Sequence, residues 1–208
     1  EPSVRARVRM VWVNSPGNPT GIVRDAASLR ELVDQARAQG AVVVSDECYA
    51  ELGWGAWDPA EGGEPVPSVL DPRVSGGDMS LLLSAYSLSK QSNLAGYRAA
   101  FLAGDPALMP SLINSRKHAG MIVAYPVQEA MRVALGDTAH VAAQKSLYRQ
   151  RRAALKPAVE AFGLSIEHSE AGLYLWGAAG EDTWTTVERF ARLGIVVGPG
   201  TFYGEAGH

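Results

Sequence analysis

The sequence predicts an α/β fold, a mostly parallel sheet with helices on both faces, and three observations carry that prediction. A short apolar run at residues 8–14 is followed by a stretch of helical spacing and then by Ala41-Val42-Val43-Val44-Ser45-Asp46. Strand, helix and strand in that order make a βαβ unit. The second run is continuously apolar and β-branched, as in a parallel strand covered on both faces. Three candidate strands also end in polar clusters, at residues 14–18, 46–49 and 87–90, on the edge where open α/β sheets bind ligands.

Each element follows from local chemistry. Arg5, Arg7 and Arg9 alternate with Ala and Val, which reads as the polar side of a strand. In Ser15-Pro16-Gly17-Asn18-Pro19-Thr20-Gly21, two Pro and two Gly stop that strand and begin a constrained loop. Asp25 can cap the helix that carries Leu29, Leu32, Val33 and Ala36, and Gly40 is a fitting residue to end it. Residues 53–77, rich in Gly, Pro and Trp, read as an irregular surface excursion. Leu81-Leu82-Leu83-Ser84-Ala85 resumes the strand pattern. A further short strand at 99–103 ends at Gly104-Asp105-Pro106, a turn and helix-start signal. From 106 to 162 the pattern is mostly helical, with breaks near Ala124-Tyr125-Pro126 and Gly136-Asp137. The long stretch 138–161 carries Arg149, Arg151 and Arg152 and links residues 1–145 to a small α+β unit at 146–208. That unit is expected to hold strands at 164–168, 173–178 and 195–197 and a helix at 183–193.

Composition narrows the function classes. The chain has 208 residues, 19 basic against 22 acidic, for a net charge of −3, and 47% of them are hydrophobic. This is a globular composition without a polybasic nucleic-acid footprint. The longest apolar stretches reach about half a membrane span, so neither nucleic acid nor membrane is an expected partner. The single Cys48 excludes an internal disulfide framework and a Cys-rich metal site, and points to a reducing, cytoplasmic setting. Cys48 itself reads as a small buried thiol. His118, His140, His168 and His208 lack metal-ligand spacing, so no metal is expected. Gly198-Pro199-Gly200 is not continued into a dinucleotide fingerprint, and there is no Walker loop. Trp54, Trp57 and Tyr125 are candidates for a pocket wall, an interface or ordinary packing.

Among the four lysines, Lys117, Lys145 and Lys156 lie in helical, charge-bearing stretches and read as solvated. Lys90 follows an apolar strand instead, within Ser87-Leu88-Ser89-Lys90. A lysine acts as a nucleophile only when neutral, and burial favours the neutral amine that Schiff-base chemistry needs.

Four passages then resemble the class I/II aminotransferase signature, in order and at matching spacing. They are residues 14–21, Ser45-Asp46-Glu47-Cys48-Tyr49, Ser87-Leu88-Ser89-Lys90 with Asn93-Leu94-Ala95-Gly96-Tyr97-Arg98, and Gly198-Pro199-Gly200-Thr201-Phe202-Tyr203-Gly204. The resemblance implies a fold-type I enzyme that uses pyridoxal 5′-phosphate. It assigns Lys90 as the catalytic residue that holds the cofactor covalently and shuttles the substrate proton. It further implies Asp46 facing the pyridine nitrogen, Asn18 and Tyr49 bonding the phenolic oxygen, and Arg98, Ser87 and Ser89 on the phosphate.

Residues 45–54, 87–98 and 168–176 most resemble bacterial succinyldiaminopimelate aminotransferases of lysine biosynthesis. Amino-acid and 2-oxo-acid substrates and a homodimer follow from that likeness. A C–S β-lyase, a kynurenine or aspartate aminotransferase and a regulator's sensor domain are the rival readings. Family members are longer, with a phosphate-binding glycine loop and a stacking aromatic before the region of residue 1 and a carboxylate-binding arginine after Gly204. The sequence is therefore expected to be a C-terminal part of a longer protein.

Overall fold

The computed structural model describes Val4 and residues 6–207; the readings made of Arg5 and His208 fall outside these. Strand β1 (Met10–Asn14) leads through helix α1 (Ala26–Arg37) to β2 (Val42–Asp46). The Asp25 carboxylate accepts from Ser28 N–H at 2.7 Å, satisfying one of the open donors at the start of α1. Gly40, at φ +64°, ends the helix in the left-handed conformation that costs glycine least. Leu29, Val33 and Ala36 on one face of α1 pack against Val13, Val43 and Leu82 of the sheet, together with Val69 and Val74. Each such fully buried aliphatic side chain contributes roughly 1.5–3 kcal/mol.

Among the described residues the strands form one sheet of order β1–β2–β3–β4, completed by β3 (Leu82–Ser87) and β4 (Ala100–Gly104). The first two pairings are parallel and the last antiparallel, so the sheet is mostly parallel as expected. Short helices α2 (Pro72–Ser75) and α3 (Leu88–Gln91) flank β3. The helical region divides as its breaks predict, into α4 (Met109–His118), α5 (Tyr125–Leu135) and α6 (Thr138–Ala161), and α7 (Thr183–Ala191) follows. A second apolar cluster joins Leu88, Ala99 and Phe101 to Met131 and Val127 of α5. The far half of α6, α7 and residues around 173–183 enclose a largely apolar cleft of about 930 Å³.

Several expectations are corrected. Arg7 lies in a turn closed by its N–H to the Val4 carbonyl, and β1 begins only at Met10, so the arginine alternation is not a strand face. The strands expected at 164–168 and 173–178 reduce to one isolated bridge, Ser165 to Ala178. The backbone between them is tied to other segments, with the Glu170, Ala171 and Gly172 N–H groups donating to the carbonyls of Gly21 and Leu52. Residues 195–197 form no strand either. The Ile195 N–H closes the end of α7 on the Phe190 carbonyl, and Val196 is 96% exposed.

The 53–77 passage, preceded by a 3₁₀ turn at Ala50–Leu52, is irregular, with single 3₁₀ turns at Gly55–Trp57 and Pro59–Glu61, but it is not only a surface excursion. Trp54, Asp58, Val69 and Val74 are buried anchors. Lys145 is likewise not solvated: its side chain is 14% exposed and its Nζ sits 3.0 Å from the Asp58 carboxylate, which is 3% exposed. Arg149, one turn along α6, takes the other Asp58 oxygen at 2.5 Å and also pairs with Glu61. A charge this deep is tolerated only because it is paired and hydrogen-bonded.

Burial works to raise the Asp58 carboxyl. The hydrogen bonds from Lys145, the Ala60 N–H and Arg149 outweigh it, and the group ends below the ordinary carboxylate range. Its contribution to stability is therefore present above the unfolded-state pKa near 4 and is lost as pH falls through the lower folded value. Asp58→Asn is expected to destabilise the fold by about 3 kcal/mol at neutral pH, because two cations lose their partner. Thermal denaturation of wild type and variant should show that gap at pH 7 and its closure as the pH is lowered through the depressed folded-state value.

Candidate active site

The parallel register brings distant residues to one edge. Asn14 is opposite Asp46, and Asp46 is opposite Ala85, two positions before Ser87. The carboxyl ends of β1, β2 and β3 thus present the 14–18 loop, the 46–49 turn and the start of α3 side by side. These are the three polar clusters singled out in the sequence.

Each segment is held by its own bonds. The Ser15 N–H continues the ladder onto the Asp46 carbonyl at 3.3 Å, and the Glu47 N–H onto Ala85 at 2.9 Å. The Asn14 carboxamide oxygen accepts from the Asn18 N–H at 2.7 Å, which fixes where the exposed Asn18 leaves the loop. The Asp46 carboxylate accepts from the Cys48 N–H at 3.2 Å. Glu47 is buried among apolar strands yet satisfied, taking the Val69 N–H and the Ser84 hydroxyl at 2.8 Å each. Sequence reading passed over Glu47, although an Asp-Glu pair at a strand end was the available signal.

Lys90, in α3, is half-buried with its Nζ 5.5 Å from the centre of the Tyr49 ring. A cation over an aromatic face is attracted to it, and the contact joins the β2 and β3 segments. The Tyr49 hydroxyl is buried and, with Ser45 Oγ, has no hydrogen-bond partner among the described residues. Burial first, and the neighbouring Tyr174 hydroxyl after it, push the Tyr49 phenol upward, so it stays a neutral donor. Ser87 and Ser89 hydroxyls lie 2.8 Å apart, and Ser87 also donates to the Ala99 carbonyl. Arg98 ends the Ala95–Tyr97 turn at φ +52°, exposed, with its guanidinium on the Ala95 carbonyl.

The structure therefore gathers Asn18, Asp46, Tyr49, Ser87, Ser89 and Lys90 at one sheet edge, and it sets Arg98 on the turn that follows α3. It adds a segment that sequence reading did not connect to them. Residues 169–172 cross over both site loops: Glu170 and Ala171 bond Gly21, Gly172 bonds Leu52, and the Trp54 indole donates to the Gly172 carbonyl at 2.9 Å. Trp54 is flanked in turn by Lys145 and Arg152, each within 6 Å of its ring. Trp57, with Asn14, Thr20 and Glu170, lines a cleft of about 540 Å³ beside the Asn18 loop. Tyr125 is exposed at the start of α5. Among the described residues no three metal-ligating side chains converge, and no helix is long and apolar enough to cross a membrane.

A carboxylate, a neutral phenol with an open hydrogen bond, a carboxamide, a primary amine, paired hydroxyls and a guanidinium form the donor set. It suits a flat, polar heteroaromatic aldehyde bearing a phosphate, which is the chemistry of pyridoxal phosphate.

Comparison with known proteins gives the same answer independently. The family model for aminotransferase class I and II matches residues 1–207. A 4-dedimethylamino-4-oxo-anhydrotetracycline transaminase of Streptomyces rimosus is 52% identical over 200 residues, 96% of this chain and 54% of that protein. A probable aminotransferase of Mycobacterium tuberculosis is 50% identical over 198 residues, 95% of this chain and 46% of that protein. The crystal structure of an aminotransferase from Neisseria meningitidis superposes with a TM-score of 0.86 at 29% identity, covering 99% of this chain and 51% of that one. The chain spans about half the length of the curated relatives it matches.

Cys48 sits two residues beyond Asp46 and shares this environment. Burial, then the Asp46 carboxylate beside it, pushes the thiol up to about 12. Only thiolate is nucleophilic, so Cys48 is protonated and inert throughout the physiological range. Iodoacetamide at pH 8 should label it on the order of a thousandfold more slowly in the folded protein than in denaturant, where the thiol returns to its ordinary range. Equal rates in the two states would refute this.

Proposed function

Because the chain belongs to the class I and II aminotransferases, whose cofactor is pyridoxal phosphate, we propose that the whole protein transfers an amino group between an amino acid and a 2-oxo acid. The single observation that carries the reading is the Lys90 amine over the Tyr49 ring, next to a buried phenol with no partner. When bound, pyridoxal phosphate supplies an electron sink that stabilises negative charge at the substrate α-carbon.

The remaining work falls to the chain's own residues. The Asp46 carboxylate pairs with a protonated ring nitrogen, the state in which the sink is strongest. The Tyr49 hydroxyl and the Asn18 carboxamide hold the phenolic oxygen. Ser87, Ser89 and Arg98 hold the phosphate, Arg98 through a charge-assisted fork. The Lys90 Nζ would hold the cofactor covalently and, as a free amine, would act as general base toward the substrate α-proton and as general acid in delivering that proton to the cofactor's C4′.

For the substrate, the likeness of residues 45–54, 87–98 and 168–176 to succinyldiaminopimelate aminotransferases supports N-succinyl-L,L-diaminopimelate with 2-oxoglutarate, in lysine biosynthesis. The 52% identity to the tetracycline-intermediate transaminase favours a second reading, in which the amino acceptor is the ring oxo group of an aromatic polycycle. We further propose a homodimer, supported by the exposed apolar side chains of Met121 and Ile122 between α4 and α5 and of Tyr125 at the start of α5. The division into residues 1–145 and 146–208, joined along α6, and a cytoplasmic location complete the reading.

The test uses the whole protein loaded with pyridoxal phosphate. Borohydride reduction followed by peptide mapping should place the adduct on Lys90, and Lys90→Ala should lower kcat by about ten-thousand-fold. An adduct on Lys117, Lys145 or Lys156 would overturn the site. Product analysis separates the rivals, since a β-lyase releases ammonia and pyruvate without an oxo-acid acceptor, and the two proposed acceptors can be offered in turn.

A further inference from the structure

We propose that Glu170 is a positioning residue, which clamps the loop bearing Asn18 and thereby sets the hydrogen bond that Asn18 gives to the cofactor's phenolic oxygen. The proposal rests on the role assigned to Asn18 above and goes beyond it, since Glu170 lies within the 168–176 passage of the likeness but is given no role by it.

The clamp joins segments 147 positions apart. One Glu170 carboxylate oxygen accepts from the Val23 N–H at 2.8 Å, and the other is 3.0 Å from His168 Nδ1. The Glu170 and Ala171 N–H groups both donate to the Gly21 carbonyl, at 3.1 and 2.9 Å, while the Glu170 carbonyl accepts from the Trp54 N–H at 2.8 Å. The side chain and both backbone polar groups of this residue are therefore committed. Gly21 permits the approach: at φ +76°, a Cβ there would lie 2.6 Å from the Ala171 carbonyl oxygen.

The hold passes directly to the functional residue. Gly21 N–H bonds the Gly17 carbonyl at 2.8 Å, and Gly17 N–H bonds the Ile22 carbonyl at 2.9 Å. Residues 21–23, gripped by Glu170, are thus tied back to Gly17, the neighbour of Asn18. From the other side, Asn14 holds the Asn18 N–H. Asn18 is fixed between these two anchors, one at the end of β1 and the other in the loop that Glu170 grips. Val23 is buried, so losing its carboxylate partner leaves a buried donor unsatisfied, at about 1–3 kcal/mol.

The experiment compares Glu170→Gln, Glu170→Asp, Glu170→Ala, Asn18→Ala and the Glu170→Ala/Asn18→Ala double variant in the whole protein. Three quantities are read: pyridoxal phosphate affinity, the pH titration of the bound cofactor's visible absorbance, and amide hydrogen exchange at Val23. Gln keeps the acceptor in place and should stay within about twofold of wild type, while Asp and Ala withdraw it and should weaken cofactor affinity about tenfold. Both should speed exchange at Val23 and shift the absorbance titration in the direction that Asn18→Ala shifts it. The double variant should shift it no further than Asn18→Ala alone, since the two residues act through one bond.

Absorbance titration and affinity unchanged in Asp and Ala, or shifts that add fully in the double variant, would overturn the clamp even if melting temperatures fall. Should Glu170→Ala not fold, Glu170→Asp carries the same comparison. A wild-type protein with no bound-cofactor absorbance is a different failure, that of the functional reading itself, and it takes the inference down with it.

Discussion

The register of the parallel strands is the constraint on which the rest depends. Side chains alternate across a strand, so a slip of one residue would turn every side chain of β2 to the opposite face. Asp46 would then leave the row it shares with Asn14, and Val43 would leave the core it shares with Leu29 and Val33. Core packing and site assembly are fixed by the same alignment. The apolar residues that exclude water behind the sheet also determine which polar residues meet at its carboxyl edge. Arg37 reinforces this from the helix, bonding the Ser75 and Ser80 carbonyls and so holding the loop that delivers β3.

A second layer of constraint comes from polar groups held where water does not reach. Asp58 brings its two cations from successive turns of α6, and Trp54 lies between Lys145 and Arg152 on the same helix face. Burial holds the Arg152 guanidinium below its ordinary range, and its donors go to the Ser169 hydroxyl and carbonyl. Through Ser169 the helix reaches the segment that crosses both site loops. The long helix is thus attached to the sheet's edge by charge and hydrogen bonding. Such contacts demand defined geometry, whereas apolar packing would tolerate sliding.

Much of this was legible in the sequence, and the boundary has a physical origin. Strand runs, the Asp25 cap, the Gly40 terminus and the helix breaks near Ala124 and Gly136 are local signals, each decided within a few residues. The motif-bearing loops are local as well. Whether residues 164–178 and 195–197 pair as strands depends instead on where their N–H groups find acceptors. The answer lies with Gly21, Leu52 and Phe190, which no short window includes. Lys145 misled for a similar reason. A charged residue on a helix reads as solvated unless a distant acid is known to be buried beside it, and Asp58 is 87 positions away. Glu170 escaped notice because a carboxylate serving a distant backbone N–H group leaves no pattern of spacing.

The two unpartnered hydroxyls give the site its thermodynamic character. Among the described residues Ser45 Oγ and the Tyr49 phenol are buried without a hydrogen-bond partner, which forgoes roughly 1–3 kcal/mol for each. A sequence selected only for stability would replace Tyr49 with phenylalanine, which fills the same space without a polar atom. Retention of the hydroxyl makes sense if a ligand supplies the missing acceptor, because binding to the folded state alone stabilises it as ligand concentration exceeds Kd. On the proposed reading the same neutral phenol, kept protonated by its burial, would donate to the cofactor's phenolic oxygen. On that reading a local defect among the described residues would become a preorganised donor once the cofactor is bound, and preorganisation of this kind is the electrostatic core of catalysis.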